Sequence, residues 1–537
     1  MKKSLRVVLS GLVVALFSLV LTSCNNSPSS SDNTSPPPAS PESIHILSGS
    51  ENELLVPILK DFSAKTGIPV DIQFKGSVDI MLALQQPDPG YDAVWPANSL
   101  WIDLSESKAV KHAASICRMP VVIGIKKSKA EALGLMGKAL NVEDLVQLAK
   151  AKKLQFLMSN PTQSNSGAMA YLGFLHGIVG RDDAISMDDL DKSDVKAKAK
   201  ELLAAVARTS GSSGWLEDLM VQNYDQFDAM VNYEAIIIEA NQELQKEGKE
   251  PLIVFYPQGG QAIADSPLAF ISRPGQGDKE EKFLKLQQYL LSTEVQKQLG
   301  QHGRRTGIIG TSAEDPNVFK SEWGIQTDKI LQPTPLPAAD VIRKALVLYQ
   351  TMLKKPSLTV YVLDYSGSMY GLGQSQVQSA MKLLLSAQAE KYFLQPGDQD
   401  ITFIIPFDAE PRDVSEVRGN APDKLQGVLE DVMAQRANGG TNFYKAINVG
   451  LERIRGIPNH QDYQTSIILM TDGESEGSFD DAQKTWQDLG GNIPIFSVMF
   501  GEANPAQLTT IAKITKARVF DGRKDMVDAF KNAKGYN

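Results

Sequence analysis

An α/β fold is what this sequence predicts, and three observations predict it. Short continuous apolar runs, LTVYVL (358–363) and SIILM (466–470) among them, have the length of strands buried on both faces of a parallel sheet. Amphipathic stretches of helical length separate such runs, and strand–helix–strand spacing implies parallel pairing through right-handed crossovers. The alternation occurs in two blocks, parted by the proline-punctuated stretch GIQTDKILQPTPLP (324–337). A chain of 537 residues exceeds one hydrophobic core, so about three or four domain-sized units are expected.

The N-terminus reads as an address. MKKSLR is a positive start, VVLSGLVVALFSLVL (7–21) is apolar but short for a membrane span, and Leu21-Thr22-Ser23-Cys24 follows. This resembles a bacterial lipoprotein signal, in which the thiol of Cys24 is acylated and residues 1–24 form the signal segment. An ordinary secretory signal that happens to contain a cysteine is the alternative. Residues 25–42 open with NNSPSSSDNTSPPPASP, too poor in apolar side chains to fold, and read as a tether stiffened by proline. No later stretch is apolar enough to span a bilayer. The expected location is therefore the bacterial cell envelope, lipid-anchored and extracytoplasmic. Asn25 stands where an aspartate would often signal inner-membrane retention, which leaves the outer membrane open.

Charge and cysteine use narrow the function classes. A formal net charge of −9 gives no support to a nucleic-acid partner, which needs a basic surface. Two cysteines, one of them Cys24, exclude an internal disulfide framework, and Cys117 reads as a small buried hydrophobe. The five histidines (45, 112, 176, 302, 460) are scattered with no zinc-site spacing.

Within 43–342, SIHILSG (43–49), PVDIQFKGS (69–77) and DAVWPA (92–97) read as strands, with ENELLVPILKDFSAKTG (51–67) and DIMLALQQ (79–86) as helices between them. Helices dominate from Leu140 to Ala207 around one strand, LQFLMS (154–159), and LIVFY (252–256) is a later strand. Five segments, MPVVIGIKKS (119–128), MSNPTQSNSGAMAYLG (158–173), VNYEAIIIEANQEL (231–244), YPQGG with DSPLAFI (256–271) and LLSTEVQKQLGQHGRRTG (290–307), resemble in order those of type 2 periplasmic solute-binding proteins. The first resembles a crossing between lobes. The resemblance implies a two-lobed module with solute held between the lobes, where helix N-termini favour anions. Ser50, Gly76, Ser77, Ser164, Ser166, Gly167 and Tyr233 are then the candidate contacts. Ser50, Ser77 and Ser166 could instead be simple helix caps. Glu51 and Asp79 would repel a small dianion, so an amine, a metal ion or a peptide suits the cleft better, and a cleft that no longer binds solute also stays open.

A helix, LPAADVIRKALVLYQTMLKK (336–355), joins the blocks, with the linker helix placed at 343–356. From 357 to 537 the alternation is Rossmann-like: strands LTVYVL, DITFIIPF, TSIILM, IPIFSVMFG and ARVF, with helices between them. Asp364, Ser366 and Ser368 follow the first strand, Asp472 follows SIILM, and Thr441 lies in NGGTNF. Carboxylates and hydroxyls are hard oxygen donors that suit Mg²⁺ or Mn²⁺, and the carboxyl ends of parallel strands are where open α/β sheets bind ligands. The D-x-S-x-S, glycine-flanked threonine and D-G pattern resembles the metal-ion-dependent adhesion site (MIDAS) of von Willebrand factor type A domains, which have six strands wrapped by helices. That resemblance implies that Ser366 and Ser368 ligate the ion directly, Thr441 directly or through water, and Asp364 and Asp472 mostly through water. An open position is left for an acidic side chain of a protein partner. Tyr365 replaces a glycine common in the family, and its ring could narrow access to the ion. Gly439 and Gly440 let the backbone bring Thr441 close. Tyr444, Glu474 and Glu476 could shape the partner surface, the glutamates reading first as solvated loop charges; Met369, Met381 and Met433 read as core filler.

Three functions follow as expectations. The first is a membrane-anchored interaction protein whose A domain holds a partner through Mg²⁺ while the other module binds a solute or second partner. The second is the solute receptor of an ABC importer with an accessory A domain. A metal-dependent hydrolase is disfavoured, because no general base, G-x-S-x-G elbow or phosphate loop accompanies the site.

Overall fold

The computed structural model describes residues 42–307, 315–501, 503–523 and 526–536. Cys24, the signal segment and all of the tether but Glu42 lie outside the described residues.

Two sheets make the N-terminal block. The first lobe orders its strands Val70–Lys75, Ile44–Gly49, Ala93–Trp95, Pro267–Ile271 and Val110–Ser115, with the first three parallel and the last two antiparallel. The second lobe orders Leu252–Phe255, Met119–Lys126, Ala229–Tyr233, Phe156–Ser159 and Val206–Ser210. MPVVIGIKKS is thus not the crossing itself. Met119–Lys126 pairs on both sides inside the second lobe, and the chain passes between lobes at Ile116–Arg118, where Ile116 donates its N–H to the carbonyl of Ser266. Cys117 is buried there as a free thiol, pushed up to about 11 chiefly by burial.

The closing G-x-R loop is a buried anchor. Arg305 donates from Nε and Nη2 to the two oxygens of Glu234 at 2.7 and 2.8 Å, and both side chains are fully buried. Arg304 pairs with Glu239 and donates to the Glu51 carbonyl at 2.6 Å. A bidentate guanidinium–carboxylate pair offsets much of its desolvation, whereas removal of one partner strands a charge.

The joining helix differs from its expected bounds. It runs over Ala339–Leu348, starting as soon as Pro337 is passed, and one wide π turn, Tyr349–Leu353, completes it. It is no free linker: Val341, Ile342, Ala345, Leu346, Tyr349 and Leu353 pack into the second-lobe core. Asp400 fastens its far end, accepting from the N–H groups of Ser357 and Gly397 at 2.8 Å and facing Lys354 Nζ at 3.3 Å.

The last block is a six-stranded sheet ordered Ser415–Arg418, Ile401–Phe407, Ser357–Asp364, Gln464–Thr471, Ile495–Met499, Val519–Asp521. All neighbours are parallel except the first pair. The antiparallel edge Ser415–Arg418, with burial on one residue in four, escaped the sequence reading because it carries no apolar run. Ser357–Asp364 is buried along all eight residues because helices cover both faces. Leu358, Val360 and Val362 face one helical layer, and Tyr361 and Leu363 face the other. Met369 and Met381 are core, but Met433 is 42% exposed. The helix Pro422–Ala434 buries Leu425, Val428, Leu429 and Val432, and position 433 falls off that stripe. A C-terminal helix, Met526–Gly535, closes the domain.

Candidate functional site

Two consecutive parallel strands end at one rim. Asp364 is fully buried as the last residue of its strand and accepts from Ser366 N–H at 2.8 Å and Thr471 Oγ1 at 2.6 Å. Ser366 and Ser368 bring their hydroxyls within 3.1 Å of each other, and Ser368 Oγ donates to Asp472 at 2.8 Å. Gly439 has φ +83° and its carbonyl accepts from Gly367 N–H at 2.9 Å, hooking the threonine loop onto the D-x-S-x-S loop. At Gly473 a Cβ would lie 3.6 Å from Thr441 Oγ1 and 3.8 Å from Ser368 Oγ, so the third loop reaches the same spot. The structure therefore brings together all five residues singled out from sequence.

Electrostatics at this rim favour a cation. Burial pushes Asp364 up from 3.8 to about 6, the Asp472 charge adds to the rise, and the Ser366 and Thr471 hydrogen bonds oppose it. Asp472 is raised too, again mainly by burial. Among the described residues, the hydrogen-bond partners of the two carboxylates are hydroxyls and a backbone N–H. Among the described residues no three His, Cys, Asp or Glu side chains cluster as a metal site. This rim has only two such groups, its other donors being hydroxyls, and hard hydroxyl and carboxylate oxygens fit Mg²⁺ or Mn²⁺. Thr471 was missed in the sequence although it directly precedes Asp472.

Tyr365 does not narrow the rim. Its ring is buried beneath the loop, its hydroxyl donates to the Val432 carbonyl at 3.1 Å, and Arg412 lies 5.7 Å over the ring. The residue after the strand continues the in–out alternation, which turns this side chain into the helical layer. Instead Tyr370 and Leu372, 84% and 73% exposed, stand beside the serines. Tyr444 stacks on Phe443 and Phe479, Glu474 accepts from Asn504 Nδ2 at 2.6 Å, and Glu476 is exposed.

The candidate solute contacts meet one another. Ser50 accepts from Ser212 Oγ at 3.0 Å across the two lobes. Ser166 shares hydrogen bonds with Ser159 at 2.6 Å and Ser213 at 2.7 Å, and Ser164 lies 3.4 Å from Ser166 and Ser213. Ser77 Oγ accepts from Ala97 N–H at 3.2 Å. Tyr233, fully buried, accepts from Asn165 Nδ2 at 2.8 Å. None of Ser50, Ser77 and Ser166 is a cap, since those places fall to Gly49, Gly76 and Ser164, none with a side-chain cap bond. Gly76 and Gly167 are needed for close approach: a Cβ would meet the Gln163 carbonyl at 2.2 Å and the Ser159 carbonyl at 2.0 Å. Glu51 lies buried near this set, pushed up from 4.5 to about 7 mainly by burial, with the Arg304 charge among the opposing effects. Gln163, Asn165, Ser212 and Ser213 were missed as site residues. A groove of about 740 Å³ along Leu252–Phe255 is lined by none of the residues singled out in either set.

The fold is that of two α/β modules in succession. Residues 44–305 match the family model of bacterial extracellular solute-binding proteins, and residues 359–518 match the von Willebrand factor type A domain, so the chain carries the two domains in that order. Among solved structures, the ferric binding protein from Campylobacter jejuni is 18% identical, with 57% of this chain and 98% of that chain covered and a TM-score of 0.41. The periplasmic binding protein AfuA from Actinobacillus pleuropneumoniae, bound to fructose-6-phosphate, is 13% identical over 57% of this chain and 94% of that chain, TM-score 0.41. A von Willebrand factor type A protein from Catenulispora acidiphila is 19% identical, covering 34% of this chain and 43% of that chain, TM-score 0.28. Nothing about ligands follows from likenesses this distant. No curated protein matches the chain. An extracytoplasmic binding role is what this pair of domains supports, and no described helix is long and apolar enough to cross a membrane.

Proposed function

We propose that the A domain recognises a protein partner through a divalent cation, Mg²⁺ or Mn²⁺, held at the rim, and that the N-terminal module binds a solute or a second partner, the whole being tethered to a membrane through lipid on Cys24. The observation that carries the proposal is the convergence of Ser366, Ser368, Thr441, Asp364 and Asp472 on one rim whose carboxylates, among the described residues, have hydroxyls and N–H groups as hydrogen-bond partners.

Ser366, Ser368 and Thr441 would supply neutral oxygens to the ion, and Asp364 and Asp472 the negative charge behind them. When bound, the ion offers a Lewis-acidic position that an acidic side chain of the partner can fill. Asp364 is fixed by the Thr471 hydroxyl and the Ser366 N–H, so its carboxylate cannot swing away from the rim. Tyr370 and Leu372 give the partner apolar area next to that position. The reading is one of binding, with an ion bridging the rim and an acidic group of the partner.

The test is calorimetric titration of the full chain with Mg²⁺ and Mn²⁺, alongside Ser366→Ala and Asp472→Ala. Saturable uptake that both substitutions abolish is expected. Equal uptake in the three proteins, or none in the parent, removes the proposal. Retention of an envelope partner by the parent with Mg²⁺ and its release by EDTA is the companion result expected.

A further inference from the structure

The C-terminal helix Met526–Gly535 serves two modules at once. Met526, Ala529, Phe530 and Ala533 are buried in the A-domain core. Asp528, Lys531 and the carbonyls of Lys531 and Gly535 lie across the seam between the two lobes of the solute-binding module, while Lys534 turns back to the Leu394 carbonyl of the A domain. On the first-lobe side, Lys531 Nζ donates to Asp79 at 2.8 Å and Asp528 pairs with Lys75 at 3.0 Å. On the second-lobe side, Gln163 Nε2 donates to the Lys531 carbonyl at 2.9 Å and Thr209 Oγ1 to the Gly535 carbonyl at 3.4 Å. Tyr536 packs edge-on against Trp215, centroids 4.5 Å apart, and lies so close to Gly211 that a Cβ there would come within 2.8 Å of the ring. Gly535 rests on the Gln163 side chain with no space for a Cβ.

These contacts fall where the lobes themselves touch. The Gln163 carbonyl is the group that meets Gly76, and Gly76 opens the helix carrying Asp79. The Lys531–Asp79 pair is only 13% and 14% exposed, so it is screened far less than a surface pair and its geometry is held. Asp79, which disfavours an anionic solute, has an ammonium as its partner.

We propose that the resident ligand of this cleft is the chain's own C-terminal helix: the solute-binding module closes on a peptide, reading a lysine ammonium at Asp79, a carboxylate at Lys75 and main-chain carbonyls at Gln163 and Thr209. Any free ligand then competes with an intramolecular segment, whose effective concentration is on the order of millimolar or above. Its apparent affinity is the intrinsic affinity multiplied by the small fraction of molecules in which the helix is withdrawn. The proposal uses none of the rim residues and stands apart from the metal reading.

The test is hydrogen–deuterium exchange on the full chain, following peptides over Gly76–Leu84 and Asn160–Ser166, with Ser357–Asp364 as an internal control. Lys531→Asp and Asp79→Lys each raise exchange in both lobe segments by about tenfold, and the double swap brings it back toward the parent. Unchanged exchange in Lys531→Asp, or a double variant no better protected than the singles, overturns the proposal. If the control strand also exchanges faster, Lys531→Met and Gln163→Ala replace the swap; an additive rise confined to the lobe segments supports the clamp, and none refutes it. Mg²⁺ uptake by these variants stays at the parent level, so failure here is distinguishable from failure of the metal reading.

Discussion

The rim of the A domain and the cleft of the solute-binding module use the same raw material and end in different states. Both set serines beside carboxylates at the ends of buried strands or the starts of helices. At the rim, Ser366 and Ser368 from one loop meet Asp472 from another, Ser366 buried and Ser368 exposed, with two carboxylates on one side. In the cleft, Ser50, Ser164 and Ser166 are taken up by Ser212, Ser213 and Ser159, and the Asp79 carboxylate by Lys531. Hydroxyls at both places are hydrogen-bonded, so charge is what separates them: among the described residues the rim carboxylates bond to hydroxyls and an N–H, whereas the cleft carboxylate Asp79 already faces an ammonium.

The comparison breaks most severely at the cleft's anchor. Arg305→Ala leaves Glu234 buried without its guanidinium, and a loss of about 3–5 kcal/mol in chemical denaturation is expected. Rim metal affinity is unaffected in whatever fraction stays folded. Next, Ser366→Ala should lower Mg²⁺ affinity by about 100-fold or more, since changes even to groups that only support a metal ligand cost 10–100-fold. Its melting temperature without metal should stay near the parent's, which calorimetry and a thermal scan read separately.

The third prediction concerns Glu51. Its native value, about 7, lies above its ordinary 4.5, so the native state holds the proton more tightly than the unfolded chain. Its contribution is fully present below pH 4.5 and is lost as pH rises through about 7. Glu51→Gln removes that dependence. The substituted protein should gain roughly 2–3 kcal/mol on the parent between pH 5 and pH 8, the equivalent of a two-unit shift; equal slopes of stability against pH would show that Glu51 does not titrate in the cleft. The smallest effect is Ser212→Ala, which removes one cross-lobe hydrogen bond and the helix cap to Trp215 N–H and should cost about 1–2 kcal/mol. It sharpens the contrast with the rim by leaving metal uptake untouched.

Much of this was legible in the chain itself, and the residues say why. Asp364 and Asp472 could be placed because LTVYVL and SIILM are mostly apolar without an alternating polar face, which a strand covered on both faces requires. Tyr365 fills an x position of the motif, which says nothing of its direction, and the alternation continued past the strand end sends its ring inward, away from the rim. Met433 misled because methionine suits a core, while its neighbours Val428, Leu429 and Val432 set a stripe that excludes it. The edge strand Ser415–Arg418 and the C-terminal helix left weak local signals, since their stability comes from a neighbour. Least legible was the cleft's occupancy. Lys531 and Asp79 are 452 positions apart, and nothing periodic connects them. Only the mismatch of Asp79 with an anionic solute hinted that something positive belonged there.

The strand Ser357–Asp364 has the rim at one end and the Asp400 fastening at the other. Its two neighbours run parallel to it over most of its length. Were a partner held at the rim as proposed, its tension would enter at Asp364 and at Asp472 and pass down two adjacent parallel strands. The parallel ladders flanking this pair would then resist together in shear, without unzipping one by one, which is the arrangement a molecular mooring needs when its partner drifts.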